Sequence, residues 1–226
     1  MLRDAGRGYA VLGAQGAGRR TVDRLNHGAA TYAEAMSAQL LAHTLARQFP
    51  PLRLRLRPGV TPSTLESAER SLGLVLPPSV RETYQTFDGQ QGDLPGVLLG
   101  MKWLPLAEVL REHATWLELA SEDPSLTSRP PEAVRPVTFS PAWVPIASDF
   151  AGNGLAVDLD PGPAGTVGQV ITFGPDEHER LVLAPDLPAF LAWVAEQIEA
   201  GRVSLEGDAV RLDSHSSFLD AARTLF

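Results

Sequence analysis

The 226-residue sequence contains no cysteine, one lysine and no long apolar run. Without cysteine there can be no disulfide, no thiolate metal site and no cysteine nucleophile. No stretch approaches the roughly 20 apolar residues that a membrane span requires. The N-terminal MLRDAGRGYAVLGAQGAG also lacks the sustained apolar segment of a secretory signal. A cytoplasmic protein with no membrane partner is the expectation. Lys102 stands against 18 arginines, a bias of GC-rich coding with no functional weight. With 44% hydrophobic residues the chain can bury one sizeable core.

Charge is uneven. Residues 1–28 hold five arginines against two aspartates, whereas the remainder holds 14 basic and 25 acidic groups, within an overall charge of −8. An acidic body repels phosphate backbones, which argues against direct nucleic-acid binding. It suits a basic protein surface instead.

Residues 1–28 read as a flexible basic tail. Apolar side chains at Tyr32, Met36, Leu40 or Leu41, Leu45 and Phe49 predict a helix over 29–49, ended by Pro50-Pro51. The alternating LRLRLRPG would place its arginines on one face if extended. Thr61-Pro62 is an N-cap followed by proline, opening a helix with Leu65, Ala68, Glu69 and Leu72 on its stripe and Gly73 as its stop. A third helix runs from Pro78 to about Phe87, closed by Asp88-Gly89. Residues 96–106 read as strand material broken at Gly100, and 106–120 as a helix with Leu106, Val109, Leu110, Ala114, Leu117 and Ala120 on one side. The proline-rich 121–141 predicts a surface loop. The period then switches to two: WVPIAS, GLAVDLD, GQVITFG and RLVLAP predict four short strands. A helix at Leu187–Ala200, a hairpin turning at Gly207-Asp208 and a final helical turn or two complete the chain. Helices, then antiparallel strands, then a covering helix predict one α+β domain.

Three features invite a chemical reading. Gly13, Gly16 and Gly18 mimic a dinucleotide loop, but no βαβ unit follows and no acidic residue ends a strand about 20 positions on. His178 lies in PDEHER beside Glu177 and Glu179, where Gly-Pro-Asp predicts an ordinary solvated turn. No serine lies in a nucleophile elbow. The third feature is SDFAGNGLAVDLDPGPAGTVGQV, residues 148–170, with Asp149, Asp158 and Asp160. The spacing of Asp158 and Asp160 would put both carboxylates on one face of a strand. Three readings stay open: Asp149 and Asp160 cap tight turns, the aspartates form an acidic partner surface, or they ligate a hard cation.

Two segments carry a resemblance. RPGVTPSTLESAERSLGLVLPPSVRETYQTFDGQ resembles the opening of a Smi/Knr-like domain of the SUKH superfamily, with Glu69, Leu72, Gly73, Leu76, Pro77, Asp88 and Gly89 at its motif positions. WVPIASDFAGNGLAVDLDPGPAGTVGQVITF resembles its second signature, and Leu187–Ile198 its closing helix. The signature turn keeps one glycine, Gly152, where family members run several. Gly154 stands where a larger residue is common.

The resemblance implies a single domain over 29–202, a curved and mainly antiparallel sheet with packed helices, and a hairpin–helix extension over 203–226. It implies no enzymatic activity, no catalytic residues, no metal and no cofactor. Bacterial members of the family neutralise polymorphic toxins, often nucleases, by direct binding; fungal members regulate cell-wall assembly through protein contacts. The first expectation is therefore an immunity protein facing a basic toxin, with a cell-wall regulator as the alternative. Asp149, Asn153, Asp158 and Asp160, then Glu177 and Glu179, are the candidate partner-binding residues.

Overall fold

The computed structural model describes residues 37–226. The basic tail, the loop with Gly13, Gly16 and Gly18, and Tyr32 and Met36 of the first stripe lie outside the described residues. Residues 37–48 are helical (α1) and bury Ala38, Leu41, Ala42 and Leu45, so Leu41 rather than the exposed Leu40 continues the stripe. The helix ends before Pro50, as expected, with Phe49 at φ −138° and ψ 69°. Pro50–Arg53 form a further turn (α2), because a proline at a helix start gives up an N–H that has no partner there anyway. Of the alternating arginine stretch only Leu56–Pro58 is strand (β1).

The helix Pro62–Leu72 (α3) starts as its cap predicts: the Thr61 hydroxyl accepts from the Thr64 N–H, and Gly73 leaves at φ +68°. The next helix, Pro78–Thr86 (α4), buries Val80 and Tyr84. Asp88-Gly89 is not its closing turn. Phe87–Gln90 run straight on as a strand (β2) antiparallel to β1.

The stretch expected as strand at 96–106 is mostly a loop wrapped around one side chain. Fully buried Gln90 donates from Nε2 to the Asp93 carbonyl at 2.8 Å, and its Oε1 accepts from the N–H groups of Val97 at 2.9 Å and Trp103 at 3.1 Å. A side chain that satisfies backbone groups takes over the work of a ladder, and only Lys102–Trp103 remain as strand (β3). The following helix, Leu106–Glu118 (α5), buries Leu106, Val109 and His113, while Ala114 and Leu117 face solvent. The expected stripe is thus rotated. The cause is tertiary: His113 bonds the Pro141 carbonyl at 2.9 Å and meets Phe139 edge-on, and Trp116 stacks on Phe139. The surface loop 121–141 lies under that end of the helix and contributes a three-residue strand, Thr127–Arg129 (β4).

The four predicted strands are present as Trp143–Ser148 (β5), Gly154–Asp158 (β6), Gln169–Phe173 (β7) and Glu179–Ala184 (β8). Together with β3 and β4 they form a six-stranded sheet in the order β3-β5-β6-β7-β8-β4, antiparallel except where β4 runs parallel to β8. The sheet does not close. Its period of two sorts side chains to two cores. Val144, Ile146, Leu155, Val157, Val170 and Leu181 join the main helical core. Trp143, Ala156, Ile171 and Phe173 pack on Val134 and Phe139 across the other face.

Asp186 caps the helix Leu187–Glu199 (α6), accepting from the Ala189 N–H at 2.7 Å. The hairpin Val203–Glu206 (β9) and Ala209–Leu212 (β10) turns at Gly207-Asp208 as expected, and Ser217 caps the last helix, Phe218–Leu225 (α7). These last segments are not appended to the surface. Val203, Val210, Leu212, Phe218 and Leu219 belong to the main core, and Trp193 of α6 packs against Phe218 and Phe226. The architecture is α+β with a mainly antiparallel sheet, as the order of elements predicts.

Candidate functional site

The predicted residues divide between the two ends of the sheet, Asp149, Asn153, Glu177 and Glu179 at one and Asp158 and Asp160 at the other, and their carboxylates are largely engaged by the protein itself. Asp149 caps the signature turn. Its Oδ1 accepts from the N–H groups of Ala151 at 2.8 Å and Asn153 at 2.9 Å, and its Oδ2 from the Asn153 amide at 2.8 Å. Buried Asn153 extends this to the next turn, donating to Asp176 at 3.1 Å and accepting from the Asp176 N–H at 3.0 Å. Gly154 has a steric reason to be glycine: a Cβ there would stand 2.6 Å from the Ala147 carbonyl oxygen.

Asp158 and Asp160 do not share a face. Asp158, the last residue of β6, is 0% exposed, with Oδ1 accepting from the Asp160 N–H and Oδ2 from Gln169 Nε2, each at 3.0 Å. Burial pushes its pKa up against those hydrogen bonds. Asp160 lies beyond the strand, half exposed, paired with Arg135 at 2.8 Å. The residue that holds the Asp160 N–H is thus Asp158; the Asp160 carboxylate itself is bonded to Arg135 and not to the Pro161-Gly162 turn.

Glu177 is also an interior residue, its side chain 1% exposed and ion-paired with Arg223 of α7. Burial raises its pKa, with the Arg223 charge opposing. Beneath it Arg180, 2% exposed, donates to the carbonyls of Gly174 at 2.8 Å and Glu177 at 2.5 Å; its pKa is pushed down to about 10 by burial. Glu179 is exposed and pairs with Arg129. His178 is exposed on the turn, as expected. Of the six candidates, Asn153, Asp158 and Glu177 have no accessible face to offer a partner, whereas Asp149, Asp160 and Glu179 retain one. Arg223→Ala should destabilise the fold by about 2–3 kcal/mol, below the usual cost of opening a buried pair because Arg223 is half exposed. Chemical denaturation of the variant measures it.

The motif residues of the first signature are likewise framework. Glu69 accepts from the Leu76 N–H at 2.9 Å and pairs with Arg81; Asp88 accepts from the Leu106 N–H at 2.7 Å and from Arg57 at 3.1 Å. The hydrogen bond from Arg81 holds the Glu69 carboxyl below its ordinary pKa. Its stabilisation is therefore present above the ordinary glutamate range and lost as pH falls through the lower folded value. Asp158 and Glu177, with raised values, contribute in the opposite sense and lose stabilisation as pH rises. Glu69→Gln is expected to cost about 1–2 kcal/mol at neutral pH and to flatten the acid limb of the stability curve. Urea titrations repeated between neutral pH and the carboxylate range would show both effects.

What the sequence does not disclose is a cleft of about 410 Å³ beside the signature turn, where Asp149 forms part of the wall. Leu94, Leu99 and Met101 line one side; Val210, Phe218 and Leu219 line the other. Three segments far apart in sequence build it. Its floor is apolar, and Asp149, Asp208 and Arg211 stand in its wall. Among the described residues no three His, Asp or Glu side chains are grouped to hold a metal ion. Nor is any helix among them long and apolar enough to cross a membrane.

Residues 59–193 match the model of the SMI1 / KNR4 family (SUKH-1), more than half of the chain and both signatures. The chain is 38% identical over 166 residues to the "Cell wall biosynthesis/cell cycle regulator smi1" of Schizosaccharomyces pombe, covering 66% of this chain and 33% of that protein. It is 32% identical over 202 residues to the "Glucan synthesis regulatory protein" of Neurospora crassa (73% and 38%). Over 198 residues it is 30% identical to the "Cell wall assembly regulator SMI1" of Saccharomyces cerevisiae (70% and 39%). The chain thus spans between a third and two-fifths of the length of these relatives. By its two signatures, the α+β frame they hold together and the span of the match, this chain belongs to the SMI1/KNR4 (SUKH-1) family.

Proposed function

We propose that this chain is a non-enzymatic binding module that regulates cell-wall assembly or growth through contacts with protein partners, acting in the cytoplasm. The observation that carries this reading is the family match over the core of the fold, with relatives named as regulators of the cell wall and of glucan synthesis. The geometry agrees: the acidic residues are engaged in holding turns and helices, and the cleft beside the signature turn has an apolar floor. Of the two readings drawn from the sequence, the regulator is favoured over the immunity protein. The immunity reading keeps one support, an overall charge of −8 that would complement a basic toxin.

Deletion of the gene in its own host separates them. The proposal expects hypersensitivity to wall-disrupting agents, and co-purification of the tagged chain with proteins of wall synthesis or growth control. A deletion strain with an intact wall that dies when a neighbouring toxin gene is expressed would replace regulation by immunity. Substrate turnover abolished by His178→Ala would overturn both.

A further inference from the structure

The apolar cleft beside the signature turn has a chemistry that selects among protein partners. We propose that it docks a protein segment carrying a bulky apolar side chain flanked by lysine or arginine. This rests on the reading of the chain as a protein-binding module and assigns that reading a surface.

The floor is built from Leu99, Met101, Val210 and Phe218, and Leu94 stands at the lip with 47% of its surface exposed. At about 410 Å³ the space lies at the small end of ligand sites, which suits one or two anchoring side chains rather than a large cofactor. Next in the chain to Asp149 of the wall is an aromatic in an unfavourable backbone state. Phe150, next to Asp149, is 47% exposed and held at φ +67° by the turn, with its N–H donating to Ser148 Oγ at 3.2 Å. Non-glycine residues persist in that region only where their surroundings over-determine them, and such strain gathers at ligand clamps.

Charge sets the flanks of the occupant. Asp208 lines the cleft and Glu206 precedes it on the same hairpin. Both are exposed, and neither has an ion-pair partner among the described residues. Asp93, before Leu94, is mostly exposed, its carboxylate paired with Lys102. Among the described residues Arg211 is the sole basic group in the wall. Around this rim lies a body that, from residue 37 on, holds 14 basic and 24 acidic groups. Apolar burial would supply affinity, while the acidic surroundings speed encounter with basic segments and disfavour acidic ones.

The test uses the full chain and three fluorescent synthetic peptides that share leucine and phenylalanine anchors and differ in lysine/arginine, serine/glycine or aspartate/glutamate flanks. The basic-flanked peptide should bind at least about tenfold more tightly than the neutral one, and the acidic one should not bind. Glu206→Lys with Asp208→Lys should remove that preference while leaving the unfolding curve unchanged, because both side chains are exposed. Leu94→Asp should abolish binding of the basic and neutral peptides alike. Equal binding of all three peptides, no binding of any, or binding indifferent to both variants would overturn the proposal. Binding that emerges only after Arg7, Arg19 and Arg20 are changed to alanine would name the chain's own segment as the occupant, and would also overturn it. A failed cleft with an intact wall phenotype and co-purification leaves the regulatory reading standing, so the two failures are distinguishable.

Discussion

Asp158→Ala is expected to destabilise the protein by about 2–4 kcal/mol, whereas Asp160→Ala, two residues away, should change stability by less than about 1 kcal/mol. The contrast follows from where the two carboxylates sit. Asp158 is fully buried and serves two donors, the Asp160 N–H and Gln169 Nε2. Truncating it leaves the Asp160 N–H without its acceptor and removes the contact that, together with the Ala133 carbonyl at 2.9 Å, holds the Gln169 amide. A buried donor deprived of its acceptor costs the full desolvation of the group rather than the small net value of an exchanged bond. Asp160 loses only a half-exposed pair with Arg135. Asp158→Asn is expected to fall between the two. One of its side-chain positions becomes an NH₂ facing Gln169 Nε2, which is itself a donor and cannot turn over without losing the bond from the Thr166 N–H to its Oε1. Urea unfolding of the three variants tests the ordering; equal midpoints for Asp158→Ala and Asp160→Ala would refute it. The result also bears on function: loss of a partner in an Asp158 variant would report a damaged fold rather than a lost contact.

Gly89→Ala should be at least as severe, costing about 3 kcal/mol or more and leaving little folded protein at physiological temperature. Gly89 adopts φ +62°, and a Cβ built on it would lie 2.6 Å from the Leu104 carbonyl carbon and from Pro105 N. The left-handed conformation alone costs a non-glycine residue about 1–2 kcal/mol. Relieving contact with rigid backbone adds about 1–3 kcal/mol. No rotamer escapes, because the collision is with main chain at the entrance of α5, where the neighbouring Asp88 holds the Leu106 N–H. Gly73→Ala is the internal control. That glycine has a similar φ, +68°, but nothing lies within 4 Å of its Cβ, so only the conformational cost applies. Thermal denaturation comparing the pair separates backbone strain from steric exclusion.

These two positions show how the family signatures can be legible while their purpose is not. Asp88-Gly89 reads in sequence as the end of a helix, because aspartate and glycine are common there. In the fold it is a strand residue clamping the next helix and a glycine admitting the chain against Leu104. Likewise Asp-Leu-Asp reads as two carboxylates of equal standing. The end of β6 falls between them, so one is buried against Gln169 and the other is left half exposed. Glu177 and Glu179 divide in the same way about the start of β8. Pattern reports the residue types that a turn or strand needs; it does not report which neighbour arrives from a distant part of the chain.

The sequence by itself determined the α+β class, the four-strand meander, the cap at Thr61, the hairpin at Gly207-Asp208 and the family, because each depends on local periodicity or on side chains bonding backbone within a few positions. Tertiary structure decided the rotation of α5 toward Phe139, the small edge strands β3 and β4, the burial of Asp158 and Glu177, and the cleft between residues 94–101 and 208–219. All of these arise from contacts between segments widely separated in the chain, where packing and the satisfaction of buried polar groups outweigh local preference.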